Sequence, residues 1–348
     1  MNTRWSRVLV LVGVVVMAVF GILAVRGEAT AAAPPAGDLA AEVESLRHEV
    51  AELRALVATG GVIHALEHLE VPDKLELCGQ TVPLDRPENR EALAFELVLT
   101  VGKPTMPLLW MRRAPLVMGD IESRLKEHGL PEDLKYVPMI ESDMRWTPES
   151  PAGAVGLWQF VARTGKRFGL RVDSYLDERM DPDRSTEAAL GYLADLRKQF
   201  NDWYLALAAY NVGEAAVQHA ITEQGTRNYF DLFLPVETRR YVFRLAAAKL
   251  VYEHPERYGL FRMAPLYQPR YRRVEVNLRQ SGDVRELARA QNVTYAALRV
   301  HNPQIRGSSL PAGRFRVRVP GRETDADPGT PAATPGAAAP APEIPTPG

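Results

Sequence analysis

The sequence predicts a mainly α-helical protein, with an apolar helix and a short coiled coil ahead of the main domain and a small βααβ module behind it. Three observations carry this. Between residues 88 and 260 apolar residues recur at helical spacing and no paired alternating stretches occur. Residues 39–57 repeat apolar residues at alternating steps of four and three. From Val274 the pattern turns to alternation, returns to helical spacing and closes in a second alternating run. The 348 residues allow about two domains, and 46% apolar residues supply a core. A net charge of -1 lacks the basic field that nucleic-acid binding needs, so no nucleic-acid partner is expected.

In chain order, residues 8–25 are uncharged and apolar and follow Arg4 and Arg7. About 18 such residues nearly span a bilayer, and the basic flank keeps the N-terminus in the cytoplasm and exports the rest. Residues 1–30 therefore read as a membrane anchor or signal segment. The length of the run favours an uncleaved anchor; the alternative is a signal peptide cut near Ala29-Thr30-Ala31. Either way the remainder belongs in the periplasm.

Residues 31–60 read as a linker and short coiled coil. Val43, Val50 and Val57 at a, with Leu39, Leu46 and Leu53 at d, favour two parallel strands. Glu42 and Glu49 at g then face Arg47 and Arg54 at e, which makes residues 39–57 a homodimer candidate. An amphipathic helix packed on its own domain is the other reading.

Residues 61–265 form the main domain. Gly60-Gly61 stops the preceding helix, and residues 62–87 are irregular. Helices are expected over 88–101, from Leu108 to Leu125, and from Leu130-Pro131-Glu132 to Glu141. Another spans 157–167 with Gln159 at its start. Asp183, Ser185 and Thr186 cap the next, which runs to Phe200. Tyr204 to Tyr210 is apolar all round and reads as buried. Helices over 213–223 and 237–253 follow, the last with Tyr241, Leu245 and Leu250 facing inward. Arg270, Arg272 and Arg273 read as a solvated linker. Residues 270–321 are the small module, and the Pro- and Ala-rich residues 322–348 read as a disordered tail.

Cys78 is the single cysteine, so no intrachain disulfide is available, and it reads as a buried structural thiol. His64 and His68 share a helix face but lack a third ligand. No phosphate loop, dinucleotide fingerprint or nucleophile elbow occurs. Neither metal nor cofactor is expected.

The chemistry concentrates in residues 136–160. Glu141 follows the apolar run Val137-Pro138-Met139-Ile140. A carboxyl group at the end of a buried helix loses hydration, which raises its pKa and suits a general acid. A solvated glutamate capping a helix is the ordinary alternative.

The neighbouring blocks decide between them. Glu141-Ser142, Ser150-Pro151-Ala152, Gly156-Leu157-Trp158-Gln159-Phe160, Ala208-Ala209-Tyr210-Asn211-Val212-Gly213 and Pro235 through Val242 stand in order. Together they resemble the catalytic core of the lytic transglycosylases, of the membrane-bound lytic murein transglycosylase D type, over about residues 75 to 320. Met144 and Trp146 depart from the family pattern. The resemblance implies a lysozyme-like all-α domain that acts on peptidoglycan glycan strands. It implies Glu141 as the catalytic residue, with Ser142, Ser150, Gln159, Tyr210, Asn211 and Glu237 as substrate-side residues. Ser142 would orient the carboxyl group or hold the helix end. Ser150 and Gln159 would meet the muramoyl N-acetyl group and sugar. Tyr210 would approach Glu141 or the sugar, Asn211 would fix the turn, and Trp158 would anchor the core. Glu237 would be a remote second acid, or simply the partner of a nearby arginine.

Only one carboxyl group near Glu141 suits a buried site. Most glycosidases use two, and substrate-assisted families are the exception. The resemblance implies the latter: a single Glu141 acid/base and a 1,6-anhydromuramoyl product. A lysozyme-like hydrolase is the alternative, with Asp173, Asp177 or Asp181 positioning water. A non-catalytic wall-binding scaffold is a third reading.

Residues 274–319 give Val-Glu-Val, Gly282-Asp283 opening a helix, a second helix through Leu298, Asn302-Pro303 closing it, and a final strand. This order resembles a LysM domain, which implies binding to N-acetylglucosamine-containing glycans.

Overall fold

The computed structural model describes residues 69–263 and 271–321. The apolar run 8–25, the heptads at 39–57, His64, His68, Arg270 and the tail at 322–348 lie outside the described residues. Among the described residues no single helix is long and apolar enough to cross a membrane.

A two-stranded ribbon, β1 (Glu76–Leu77) and β2 (Gln80–Thr81), opens the helical body. Cys78 sits in its turn, buried and unpaired, and burial pushes its thiol pKa up. Helix α1 (Pro87–Val101) starts on a proline, whose missing N–H is no loss at that position. The expected helix from Leu108 to Leu125 is two: α2 (Thr105–Arg113) and α3 (Met118–Glu127), separated by a 3₁₀ turn at Ala114–Leu116. Pro115 in that turn cannot donate to a continuous helical ladder.

Helix α4 (Val137–Ser142) is only six residues long and follows a 3₁₀ turn at Glu132–Tyr136. It is stopped by Asp143 and Met144, both left-handed at φ 53° and 59°. The expected helix over 157–167 is shorter: α5 covers Ala162–Arg167. Residues 155–160 instead fold back on themselves, with Val155 and Phe160 exchanging backbone hydrogen bonds. Gly156 at φ 88° permits this turn, and a Cβ there would meet the Arg179 carbonyl oxygen at 1.8 Å.

Helix α6 (Pro182–Phe200) is capped by Asp181, whose carboxylate accepts from Asp183 N at 3.0 Å. Helix α7 (Trp203–Val212) is capped by Asp202 in the same way. Every residue from Trp203 to Ala209 is buried, so α7 is the central helix of the core. Each fully buried leucine on it contributes about 1.5–3 kcal/mol. Helices α8 (Glu214–Gln224) and α9 (Val236–Glu253) complete the body. Helix α9 packs on α1, α4 and α7.

Beyond it, β3 (Tyr271–Leu278) and β6 (Gly313–Pro320) pair antiparallel, from Tyr271 opposite Pro320 to Leu278 opposite Gly313. Between them lie β4 (Gly282–Asp283), α10 (Val284–Ala290), α11 (Tyr295–His301) and β5 (Ser309–Leu310). Asp283 and Thr294 cap the two helices.

This module is not held by a linker alone. The loop at residues 171–177, here termed the finger, reaches into it. Leu176 belongs to the module's own apolar cluster with Val284, Leu298, Ile305 and Val317. The backbone pairs as well: Asp177 N donates to Gln304 O at 2.8 Å, and Arg306 N to Tyr175 O at 2.9 Å. Arg318 is 2% exposed and meets Asp183 at 2.7 Å and Asp181 at 3.1 Å. Arg273, expected in a solvated linker, is a β3 residue that meets Asp120 at 2.6 Å and Asp183 at 3.1 Å. Acidic groups capping α6 need compensation once they are covered, and the arginines of the module supply it.

Candidate active site

Helix α4 carries Glu141 on its last turn. Val137, Pro138 and Met139 are buried beneath it, so the backbone leading to Glu141 is fixed by packing. The side chain itself is half-buried. Tyr241 on α9 donates its phenol hydrogen to Glu141 Oε1 at 2.5 Å. Arg244, one turn on, donates to the Ile140 carbonyl at 2.8 Å. Glu237 lies one turn before Tyr241 and is exposed, with Arg244 3.6 Å away. Glu237, Tyr241 and Arg244 are spaced by four and three, so they share one helix face, the face turned to α4.

Burial pushes the Glu141 carboxyl above its ordinary pKa. The Tyr241 hydrogen bond and the Arg244 charge pull it down, and the Glu237 charge adds to the rise. Burial also holds the Tyr241 and Tyr210 phenols well above their ordinary range, and the Glu141 charge adds to both. Both phenols therefore stay protonated and serve as donors.

Tyr210 lies at the end of α7 and close enough to feel the Glu141 charge. Its hydroxyl donates to the Trp158 carbonyl at 2.7 Å, not to Glu141. Its ring packs 5.5 Å from Tyr192 and 6.5 Å from Phe160. Trp158 is fully buried and donates to Thr186 Oγ1 at 2.9 Å, which makes it the core anchor expected. Gln159 has φ 50°, and its amide nitrogen donates to the Gly156 and Pro148 carbonyls at 2.8 and 3.1 Å. Those two acceptors fix the amide, and its carbonyl oxygen has no hydrogen-bond donor among the described residues.

Ser142 is buried, and its hydroxyl lies 2.8 Å from the Leu157 carbonyl and 3.0 Å from that of Pro138. It ties α4 to the Gly156–Phe160 segment, which is a positioning place and not a sugar-facing one. Ser150 closes its own turn by accepting from Ala154 N at 3.1 Å. Asn211 accepts from Thr238 Oγ1 at 2.7 Å and so joins the end of α7 to α9.

The alternative water-positioning acids are engaged elsewhere. Asp177 is fully buried against Arg179 at 2.7 Å. Asp181 caps α6 and pairs with Arg318. Asp173 accepts from Tyr175 N and Leu176 N. Asp143 accepts from Trp110 Nε1 at 3.0 Å. Among the described residues, none of these has a hydrogen bond to Glu141 or its partners. Beside α4 a cavity of about 510 Å³ is lined by Met106, Trp110, Ile140, Glu237 and Arg244.

Tyr241 is the residue that sequence reasoning missed. It read as an inward core position, which its burial matches, but its hydroxyl is the direct partner of Glu141. The signal was the spacing of Glu237, Tyr241 and Arg244 by four and three, which puts a phenol in line with two charged side chains.

Residues 121–233 match the family model described as Transglycosylase SLT domain. Membrane-bound lytic murein transglycosylase D of Escherichia coli (strain K12) is 32% identical over 219 residues, covering 61% of this chain and 48% of that protein. Peptidoglycan transglycosylase gp16 of Escherichia phage T7 is 35% identical over 133 residues, covering 34% of this chain and 10% of that protein. The 70 kDa soluble lytic transglycosylase Slt70 of Escherichia coli gives a TM-score of 0.37 at 18% identity, covering 64% of this chain and 46% of that one. The chain thus spans 48% of the length of the E. coli D-type relative.

Proposed function

We propose, taking the Transglycosylase SLT domain match at residues 121–233 as the premise, that this chain is a peptidoglycan lytic transglycosylase. It cleaves the β-1,4 bond between N-acetylmuramic acid and N-acetylglucosamine and leaves a 1,6-anhydromuramoyl end. The observation that carries the reading is a single shielded carboxyl group, Glu141, held by a phenol donor with no second carboxylate hydrogen-bonded beside it among the described residues.

In this mechanism protonated Glu141 gives its proton to the bridging oxygen as the C1–O bond breaks. The 2-acetamido carbonyl of the muramoyl sugar closes on C1 and carries the positive charge. Glu141, now a carboxylate, is stabilised by Tyr241 and Arg244. It then takes the proton of the C6 hydroxyl, whose oxygen attacks C1 and displaces the acetamido group. The proton lost in the first step is recovered in the second, and no water is consumed. Burial keeps the acid form available for the first step, and the hydrogen bond from Tyr241 keeps the carboxylate tolerable between the two.

The supporting roles follow the geometry. Gln159 offers its carbonyl oxygen to a sugar N–H, because its amide nitrogen is already spent on the loop. Tyr210 offers a ring face while its hydroxyl holds the Trp158 backbone. Ser142 and Asn211 position α4 and α9. Ser150 shapes the loop, and Glu237 raises the pKa of its neighbour. The enzyme works on the periplasmic side of the cell envelope, attached through its N-terminal segment. Residues 270–321 are a LysM-like glycan-binding module.

The test is digestion of purified sacculi by the full chain, with the fragments weighed by mass spectrometry. Ends lighter by one water than hydrolytic ends are expected, and they should vanish in Glu141→Gln. Fragments carrying an added water would replace this reading by hydrolysis.

A further inference from the structure

Arg179 lies in the 3₁₀ turn Glu178–Met180 that follows the finger, and is 6% exposed. Its guanidinium has two sets of partners. Nε and Nη2 donate to the two oxygens of Asp177, at 2.8 and 2.7 Å. Nη1 donates to the carbonyls of Gly153 and Phe160, at 2.9 and 3.0 Å. Those carbonyls stand at the two ends of the segment that carries Gln159, so one nitrogen closes its mouth. The Arg179 backbone touches the same segment, because its carbonyl packs against Gly156.

Asp177 is fixed in turn from the module. It is fully buried, its N–H donates to Gln304 O at 2.8 Å, and Arg306 Nη1 stands 3.4 Å from its Oδ2. A continuous set of polar contacts therefore runs from the module through Asp177 and Arg179 to residues 153–160.

A buried ion pair often contributes no more stability than apolar side chains of the same volume. What a guanidinium fork adds is direction, because its donors are fixed in one plane. Held on Asp177 by two bonds, it presents Nη1 at a set place, and the Gly153 and Phe160 carbonyls are drawn to it. Gln159 precedes Phe160 and is oriented by the Pro148 and Gly156 carbonyls of the same fold-back. Its carbonyl oxygen moves wherever this segment moves.

We propose that Arg179 is a positioning residue for substrate binding, which sets residues 153–160, and so the Gln159 carbonyl, from a base formed by Asp177 and the docked module. This rests on the reading of Gln159 as a sugar-facing residue, and adds a residue that never touches the sugar.

The test uses the full chain and two readouts. One is hydrogen exchange at the amides of Val155, Gly156, Gln159 and Phe160, all bonded to nearby carbonyls. The other is the split between KM and kcat on soluble, uncrosslinked glycan strands, followed across pH. Arg179→Lys keeps a charge beside Asp177 but has no planar fork to reach both carbonyls. Exchange should quicken about tenfold, and KM should rise about tenfold while kcat falls less than about threefold. The alkaline limb should stay in place, since Tyr241 and Arg244 are untouched. A purely structural loss would lower the active fraction, and so kcat, and leave KM as it was. Arg306→Glu sets a like charge beside Asp177 from an exposed position, and the same changes are expected at about threefold. An unchanged KM in either folded variant overturns the role, even where exchange quickens. Should Arg179→Lys fail to fold, Arg306→Glu decides alone. Should the unaltered chain release no glycan fragments, the transglycosylase reading fails, and calorimetric affinity for the strands replaces KM. Weaker binding by the variants then leaves this role standing, and equal binding overturns it.

Discussion

The phenol of Tyr241 donates to Glu141 Oε1 at 2.5 Å, joining residues that stand 100 positions apart in the chain. The bond favours the ionised carboxyl group while burial opposes it, so the acidity of Glu141 is set by a balance of the two.

Tyr241→Phe removes the donor and leaves the burial. The Glu141 pKa rises further, and the acid form survives to higher pH. The alkaline limb of kcat/KM should shift upward, and turnover should fall about tenfold to a hundredfold as the carboxylate loses its partner. A pH profile of sacculus solubilisation reads both. An unmoved alkaline limb would separate this phenol from the acid's titration.

Glu141→Gln should change stability in a pH-dependent way. The folded-state pKa of Glu141 is raised, so the stability tied to its protonation is present below the unfolded value of about 4.3 and is lost as pH rises through the folded value. The glutamine variant escapes that loss. Its melting temperature should match the parent near pH 4 and exceed it at pH 8, by about 2–4 °C for each kcal/mol recovered. A constant difference across that range would contradict the raised pKa.

Gly156→Ala should cost about 3 kcal/mol or more, because the new Cβ runs into the Arg179 backbone and the residue must keep φ 88°. Denaturant unfolding measures it. Activity should fall as well, since Gln159 and the Leu157 carbonyl held by Ser142 lie in the displaced turn.

Arg318→Met should destabilise the protein by about 3 kcal/mol, since it leaves Asp181 without its cation under the module and takes from Asp183 one of the arginines that hold it, with Arg273 remaining. Arginine charges hold the Asp183 pKa below its ordinary value against the opposing effect of burial. Its contribution is therefore present above the unfolded value of about 3.9 and is lost as pH falls through the folded one. The gap between parent and variant, read by thermal melting, should narrow in acid.

Much of this was legible in the chain. The apolar run before Glu141 gave its shielding, and the all-round apolar character of Trp203–Ala209 gave the central helix. Three features were not legible, each for a physical reason. Gln159 read as helical because its left-handed backbone depends on Gly156 meeting Arg179, a contact far away in sequence. Tyr241 read as core because a buried phenol and a buried phenyl ring look alike until the hydroxyl's partner is known. Arg318 stands in the final alternating run, and its buried place was not legible because alternation places a side chain on a face without revealing what covers that face.

Leu176 fills the apolar centre of a module that begins almost a hundred residues later. The two parts are therefore not interchangeable cassettes. A graft of residues 271–321 onto another enzyme would arrive with an unplugged interior and an arginine lacking its counter-ions, unless residues 171–183 travelled with it. Selection acting on either part must in consequence reckon with its neighbour, and compensating changes should surface in pairs across the join.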